Sequence, residues 1–277
     1  MQAGAIDVGT SGWRFDDWAG SFYPLRVPQN QWLEYYAARF TVGEINSTYY
    51  RIAPARTYAA IERKTPPGFR FIAKVHADVT HHRREPASSM HELLTALQPL
   101  REANKLIGLL AQFPAGFRYS SEAMSHLLDV QSQCDGVPLC VEFRSGTWLT
   151  DETIGRIREA GITWVCPDEP DLADLMPHRL LATSDLFYAR LHGRNARTWY
   201  NSRAGDRYDY HYTEEELAAF GRELIELKSP AKRGVVLFNN CYAGQAPRNA
   251  GWLKSWLEAA TSGQQQLSAN ELDLSAD

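Results

Sequence analysis

The chain has 277 residues, of which 44% are hydrophobic and 12% aromatic, and its formal net charge is −4. This composition is typical of a globular protein with a sizeable core, and the mild negative charge excludes a general electrostatic attraction to nucleic acid or anionic membranes. The sequence contains no run of about 18 apolar residues, and its first residues lack the basic and apolar regions of a secretory signal. We therefore expect a cytoplasmic protein that does not enter a membrane.

Eight short apolar runs, each typical of a buried strand, recur along the chain. From the N-terminus they occupy residues 5–10, 42–46, 69–74, 106–111, 138–143, 162–167, 186–191 and 234–239. Their spacing is close to that of the strands in a (β/α)8 barrel of about 250 residues.

Segments with helical signals separate most of these runs. Trp32, Tyr36 and Phe40 recur every four residues, which indicates one apolar helix face. Residues able to cap a helix begin three later segments; they are Ser120 or Ser121, Thr150 or Asp151, and Thr213 with Glu216 in capping-box spacing. Strands that alternate with helices indicate a parallel sheet, and eight such units favour a closed barrel.

The predicted fold is therefore a single, somewhat irregular TIM barrel over residues 1–261. The segment between the strand that contains Cys166 and the next predicted strand is too short for a full helix. Residues 192–212 are predicted to form a long loop before the eighth strand. Residues 262–277 are polar and are predicted to form a disordered tail. Four widely spaced cysteines without a C-x-x-C pair (Cys134, Cys140, Cys166 and Cys241) are interpreted as buried thiols rather than disulfides or zinc ligands.

Polar side chains occur at the end of every predicted strand, where the active sites of TIM barrels lie. Residues two apart on a strand share a face, so four pairs should point together into the barrel mouth; they are Glu44/Asn46, Lys74/His76, Glu142/Arg144 and Arg190/His192. Further candidate ligand-binding residues are Ser11, Trp13, Arg14, Tyr49, Gln112, Trp199, Asn239 and Asn240. In addition, the turn Gly9–Thr10–Ser11–Gly12 is expected to offer backbone N–H groups to an anion.

Eight short motifs occur in a fixed order along about residues 6–256; they are "GTSGW", "FYP", "EINSTYYR", "FIAKVH", "QFP", "VEFRSGTW", "ARLHG" and "FNN" with "NA" after it. In this order they resemble the DUF72 (YecE-like) family. The resemblance implies a TIM barrel of unknown role, similar to the barrels of the xylose isomerase and endonuclease IV group. By analogy of fold alone, this similarity suggests metal-dependent or phosphodiester chemistry. The chain departs from the family pattern at Cys241, where an acidic residue usually follows the asparagines.

The leading hypothesis is hydrolysis of a phosphate ester or anhydride of a nucleotide-like substrate. Lys74, Arg144, Arg190 and Arg14 would hold the phosphate. Glu142 or Glu44 would activate water, with His76 or His192 as the acid. No tightly bound metal is expected among the basic neighbours, although Mg²⁺ could arrive with the phosphate.

Two alternatives stay open. The mouth could bind a nucleotide or single-stranded nucleic acid without chemistry, because the 192–212 loop interleaves basic residues with rings; the residues concerned are Arg194, Arg197, Arg203, Arg207, His211, Trp199, Tyr200, Tyr208, Tyr210 and Tyr212. A glycosidase is the third hypothesis, with Glu44 and Glu142 as its carboxylate pair. The sequence does not indicate the oligomeric state.

Overall fold

The computed structural model describes residues 6–173, 175–200, 205–227 and 231–273, with side chains in the last helix described as far as Ser262. Eight parallel strands close into a barrel in sequence order, so the predicted TIM barrel is confirmed. The strands are β1 (Ile6–Thr10), β2 (Val42–Ile45), β3 (Arg70–Lys74), β4 (Leu106–Gln112), β5 (Leu139–Glu142), β6 (Thr163–Asp168), β7 (Leu186–Leu191) and β8 (Arg233–Phe238). All eight coincide with the predicted runs to within one or two residues.

The helices surround this barrel. They are α1 (Trp32–Ala37), α2 (Ala55–Arg63), α3 (Ala77–Thr80), α4 (Pro86–Ala96), α5 (Gln98–Glu102), α6 (Ser121–Ser132), α7 (Asp151–Glu159), α8 (Glu214–Glu226) and α9 (Gln245–Asp273). In the described part between β6 and β7 no helix forms, as the short spacing predicted. The described helices include none that is long and apolar enough to cross a membrane.

Side chains at the helix starts explain where three helices begin. Ser120 caps α6, Thr150 caps α7, and Thr213 forms a capping box with Glu216 at the start of α8. Each cap satisfies a backbone N–H that has no partner inside its helix, a contribution of about 1 kcal/mol. The last helix continues to Asp273, beyond the predicted domain boundary at residue 261; the disorder predicted for the tail stays a prediction.

The barrel interior changes from apolar to charged along its axis. A buried cluster fills the middle of the barrel; it consists of Val42, Ile72, Leu110, Cys140, Val165, Leu186, Tyr188, Val235 and Leu237. A larger apolar cluster fills the layer between the strands and the helices. All four cysteines are free and buried, which confirms their interpretation as thiols of the core. The charged end of the barrel is the end at which the strands finish.

Candidate functional site at the barrel mouth

The period-2 alternation of the strands continues from the apolar interior into the mouth. On β7, Tyr188 belongs to the interior cluster, and Arg190 and His192 follow it at two-residue steps. Arg190 is 2% exposed and His192 is fully buried, and both contact Glu142 at the end of β5, two strands away in the barrel. The predicted common orientation of Arg190 and His192 is therefore present.

Arg190 lies between two carboxylates that come from distant parts of the sequence. Its Nε is 3.0 Å and its Nη2 2.7 Å from the oxygens of Glu44, and its Nη1 is 2.6 Å from Glu142 Oε2. Tyr188 donates its hydroxyl to Glu44, and Ser11 Oγ accepts a weaker bond of 3.4 Å from Arg190. All of these side chains are buried. Every side-chain nitrogen of Arg190 is hydrogen-bonded within the protein. Arg190 therefore holds the side chains of the mouth in place and has no nitrogen left without a partner for a ligand.

A second arginine extends the same group toward solvent. Arg144 Nη2 is 2.7 Å from Glu142 Oε1, and Arg144 Nη1 contacts Glu169. We call Glu44, Glu142, Arg144, Glu169 and Arg190 the central ion-pair group. Burial disfavours the charged form of Glu142, but Arg144, Arg190 and His192 outweigh that effect and hold its pKa well below the usual range. Glu142 is therefore ionised at neutral pH.

His192 is uncharged at neutral pH. Burial, followed by the nearby Arg144 guanidinium, lowers the pKa of His192 to about 3. Its Nδ1 lies 2.9 Å from Asn239 Nδ2, and its Nε2 lies 3.1 Å from Arg144 Nη2 and 3.2 Å from Glu142 Oε1. A neutral imidazole held in this way orients Glu142 and Arg144, and it is poorly suited to the proton-donor role predicted for it.

Lys74 differs from both arginines of the mouth. Its Nζ donates to the amide oxygen of Gln112 at 2.8 Å and lies 4.5 Å from the centre of the Tyr49 ring. Within the described part of the chain it forms no ion pair. Burial and then Arg190 lower the pKa of Lys74 to about 8. An ammonium group has three N–H donors, so Lys74 retains donors for a ligand.

The opening turn does not provide the predicted anion-binding amides. Thr10 N donates to Tyr36 Oη at 2.8 Å, Ser11 N donates to the carbonyl of Phe238 at 2.9 Å, and Gly12 N donates to Thr10 O at 3.0 Å. The prediction is therefore wrong for these three groups, because they are bonded within the protein. The turn instead joins β1 to α1 and β8, and Gly12 adopts a φ of +101° that favours glycine.

Other predicted site residues lie around the central ion-pair group and are not part of it. His76 accepts from Asp78 N at the start of α3, and Asn46 donates to the Ser11 carbonyl. Asn240 binds Tyr210 O and Asn249.

The predicted tryptophans also lie outside the group. Trp199 is 4% exposed, and its ring centre lies 5.9 Å from the Arg144 guanidinium and 5.5 Å from that of Arg207. Trp13 and Arg14 line a neighbouring cavity.

The loop after β7 is fixed by Asp168 at the end of β6. Arg194 binds Asp168 at 2.8 to 3.1 Å, and the hydroxyl of Tyr212 donates to the same carboxylate at 2.5 Å. Tyr210 donates to Glu216, so the described rings of this loop near α8 pack within the protein. Arg203, one of the basic residues in the predicted loop, lies outside the described residues.

His178 adds a pH-dependent contact to this loop anchor. Its ring lies 3.4 Å from Asp168 and 2.9 Å from Glu223, and the hydrogen bond with Asp168, in spite of burial, raises the pKa of His178. The stabilising contribution is present below the ordinary pKa and is lost as pH rises through the raised value. We expect H178Q to lower the free energy of unfolding by about 0.5–1 kcal/mol at pH 6 and by much less at pH 8.5.

Urea denaturation at the two pH values measures this difference. His91, which is exposed on α4, provides the control, and H91Q should follow the wild-type pH profile. An equal loss for H178Q at both pH values would contradict the ionic role.

Comparisons with known proteins support the motif resemblance. Residues 7–272 match the family model described as "Protein of unknown function DUF72". The chain is a member of the DUF72 family. It is 32% identical over 287 aligned positions to the UPF0759 protein YunF of Bacillus subtilis, covering 97% of this chain and 99% of that protein.

Crystal structures of other DUF72 family members share the fold. One from Thermotoga maritima is 39% identical, has a TM-score of 0.85 and aligns over 91% of this chain and 99% of its own. One from Enterococcus faecalis is 25% identical, with a TM-score of 0.82 and coverage of 91% and 95%. These similarities identify the family and the barrel, and the family description assigns no activity.

Cys241, which follows Asn239 and Asn240, is a buried thiol. The Cys241 thiol is 9% exposed and contacts the Ser11 carbonyl at 3.8 Å, while its own carbonyl accepts a bond of 2.7 Å from Trp18 Nε1. Burial raises the pKa of the thiol, which argues against a nucleophile. Cys241 therefore packs β8 against the opening loop.

Two residues of the mouth are not among the predicted site residues: Tyr188, which donates to Glu44, and Glu169 of the central ion-pair group. The two-residue spacing of Tyr188 from Arg190 is a signal that could have identified it. Glu169 follows a strand, but its contact with Arg144 cannot be derived from spacing because 25 residues separate them. In the described residues, no group of three or more histidines, cysteines and acids has the arrangement of a metal site.

Proposed function

We propose that the barrel mouth binds the phosphate group of a small molecule or nucleotide, with Lys74 as the cation that meets it. The observation that carries this proposal is that Arg144 and Arg190 are bonded to carboxylates, whereas Lys74 has only the neutral oxygen of Gln112 as a close partner in the described part of the chain. An ammonium at a barrel mouth with unused donors is a common phosphate ligand.

The same contacts argue against the two other ligand classes. Glu44 and Glu142 are both bonded to Arg190, which keeps them from serving as the acid and the nucleophile of a glycosidase. Single-stranded nucleic acid binds by stacking on several open ring faces, whereas Trp199 is buried and, among the described tryptophan and tyrosine rings of the 192–212 loop, only Tyr200 is largely exposed. A compact phosphate ligand is consistent with both observations.

Hydrolysis of the bound phosphate ester or anhydride is the second candidate function. The observation that favours hydrolysis is the environment of Glu142 Oε1. This buried oxygen is close to Arg144 and His192, but it accepts no well-aligned hydrogen bond. Such an oxygen can position a water molecule, and Lys74 can give a proton to the leaving oxygen. Mg²⁺ would then enter with the substrate rather than be held by the protein.

Phosphate affinity should depend on the charge of Lys74. Because its pKa is about 8 in the free protein, affinity for inorganic phosphate should fall about tenfold per pH unit above pH 8. An ordinary lysine would keep its charge to about pH 10. Isothermal titration calorimetry between pH 7 and pH 9.5 measures this profile.

Two variants make the test specific. K74R keeps the charge throughout this range and should flatten the profile, and K74M should lose phosphate binding at every pH. Affinity that is the same in K74M and in the wild type would overturn the proposal.

Turnover distinguishes the two candidate functions. Release of phosphate from p-nitrophenyl phosphate and from ATP, with and without Mg²⁺, should be lost in E142Q while phosphate affinity is retained if the protein is a hydrolase. If the wild type binds phosphate but shows no turnover, the binding function stands and the hydrolase function is contradicted.

A further inference from the structure

A cavity of about 600 Å³ opens beside the mouth, between the loops that follow β1 and β2 and helices α1 and α2. Ser11, Glu44 and Asn46 line it, and the first two of these also contact Arg190. The cavity and the central ion-pair group therefore share a wall. Its volume is in the range of small-molecule sites.

Aromatic side chains form much of this cavity. Trp13, Phe15 and Trp32 line it, together with Ile45 and Ile61. Trp13 is held by Tyr36 and Phe71, with ring centroids 6.4 and 5.8 Å away. The ring is fixed by packing, so the cavity does not need to form when a ligand arrives.

The polar groups of the cavity lie at its edges. Arg14 is exposed and donates to Gln29 Oε1 at 3.3 Å, and in the described residues it forms no ion pair. Lys64 closes another edge and is paired with Glu34 at 3.1 Å. Fixed rings and aliphatic side chains, with polar side chains around them, suit a flat, mainly apolar ligand group that carries polar atoms on its rim.

We infer that this cavity binds an aryl or heteroaryl group of the same ligand whose phosphate meets Lys74. The inference rests on the proposed phosphate function and adds the class of the organic group. The shared wall of Ser11 and Glu44 places the ring and the phosphate on neighbouring sides of the central ion-pair group.

Matched ligands test this assignment. By calorimetry at pH 7.5, phenyl phosphate should bind the wild type roughly 10- to 100-fold more tightly than methyl phosphate, because the ring is removed from water. Inorganic phosphate should bind about as well as methyl phosphate. Equal affinities of phenyl and methyl phosphate would overturn the inference and leave the phosphate site intact.

Matched variants locate the ring. Ala60 lines the cavity from α2, whereas Ala59 is a similarly half-buried neighbour outside it. A60F should remove the preference for phenyl phosphate without changing inorganic phosphate binding, and A59F should retain the preference. If A60F does not fold, T57F narrows the same cavity from an exposed position. A preference that survives these lining variants would place the ring elsewhere.

Indole separates failure of the cavity from failure of the phosphate site. This neutral ring should bind the wild type and K74M alike and should not bind A60F. If K74M binds inorganic phosphate as the wild type does, the phosphate proposal fails and the shared-ligand inference fails with it, whatever indole does. If phosphate binding needs Lys74 but indole and phenyl phosphate show no effect of A60F, only the ring assignment is overturned.

Discussion

Replacing Arg190 by methionine should lower the free energy of unfolding by about 3–5 kcal/mol at pH 7.5. Arg190 makes close contacts with both Glu44 and Glu142, and the two carboxylates are fully buried. Methionine fills a similar volume but leaves these charges without their shared cation. The cost of an uncompensated buried charge is much larger than the net value of an intact ion pair, which explains the size of the expected loss.

The effect of R190M should depend on pH in a defined direction. Arg144 and Arg190, acting against burial, keep the pKa of Glu142 well below its usual range, so removing Arg190 should raise it. A carboxyl group with a raised pKa in the folded state destabilises the protein increasingly as pH rises through that pKa. The loss should therefore be smaller at pH 5 than at pH 8.

Three variants separate this effect from simple loss of an arginine. R233M removes a cation at the opposite end of the barrel, where the contact with Asp7 is 3.5 Å long and partly exposed, and should cost about 0–1 kcal/mol. E44Q/E142Q/R190M removes the charges together and should be more stable than R190M. R190K should fold with an intermediate loss. Chemical denaturation at pH 5 and pH 8 measures these losses. If R190M and R233M lower the free energy of unfolding equally at both pH values, Arg190 does not act by neutralising the buried carboxylates.

Sequence patterns predicted the fold well because each barrel unit is specified locally. The apolar runs mark the strands, and the capping box of Thr213 and Glu216 marks the start of α8. The two-residue spacing of Arg190 and His192 also predicts that both face the mouth, because strand geometry alone decides that orientation.

The partners inside the mouth could not be predicted in the same way. Arg190 binds Glu44 across 146 residues and Glu142 across 48, and this choice depends on the closure of the barrel and on the register of its strands. The backbone of the opening turn shows the same limit, since Ser11 N is occupied by a carbonyl of β8. Residue types at strand ends thus indicate a polar mouth, but they do not show which cation keeps unused donors.

Lys74→Met should increase the free energy of unfolding by about 3 kcal/mol at pH 7 while abolishing phosphate binding. Burial and Arg190 lower the pKa of Lys74 from 10.5 to about 8, so keeping it protonated in the folded protein costs free energy. Each pKa unit corresponds to about 1.4 kcal/mol, and methionine carries no such cost. A stabilising substitution at the centre of a site is typical of residues kept for binding rather than for folding.

The pH dependence of this stabilisation follows from the lowered pKa. Below about pH 8, Lys74 is protonated in both the folded and the unfolded states, and its full desolvation cost is present. Between pH 8 and pH 10.5 the folded state has released the proton that the unfolded state still holds, so the wild type gains stability relative to K74M. Above this range the advantage of the methionine should vanish.

Urea denaturation of the wild type, K74M and Q112M from pH 7 to pH 10.5 tests the argument. Gln112 supplies the acceptor at 2.8 Å from Lys74 Nζ, so Q112M should leave the ammonium with poorer solvation and destabilise the protein at pH 7. The opposite signs of K74M and Q112M distinguish a costly buried cation from ordinary loss of packing. A destabilised K74M whose deficit does not change with pH would show that Lys74 supports the fold, and the mouth would then lack the cation on which phosphate recognition depends.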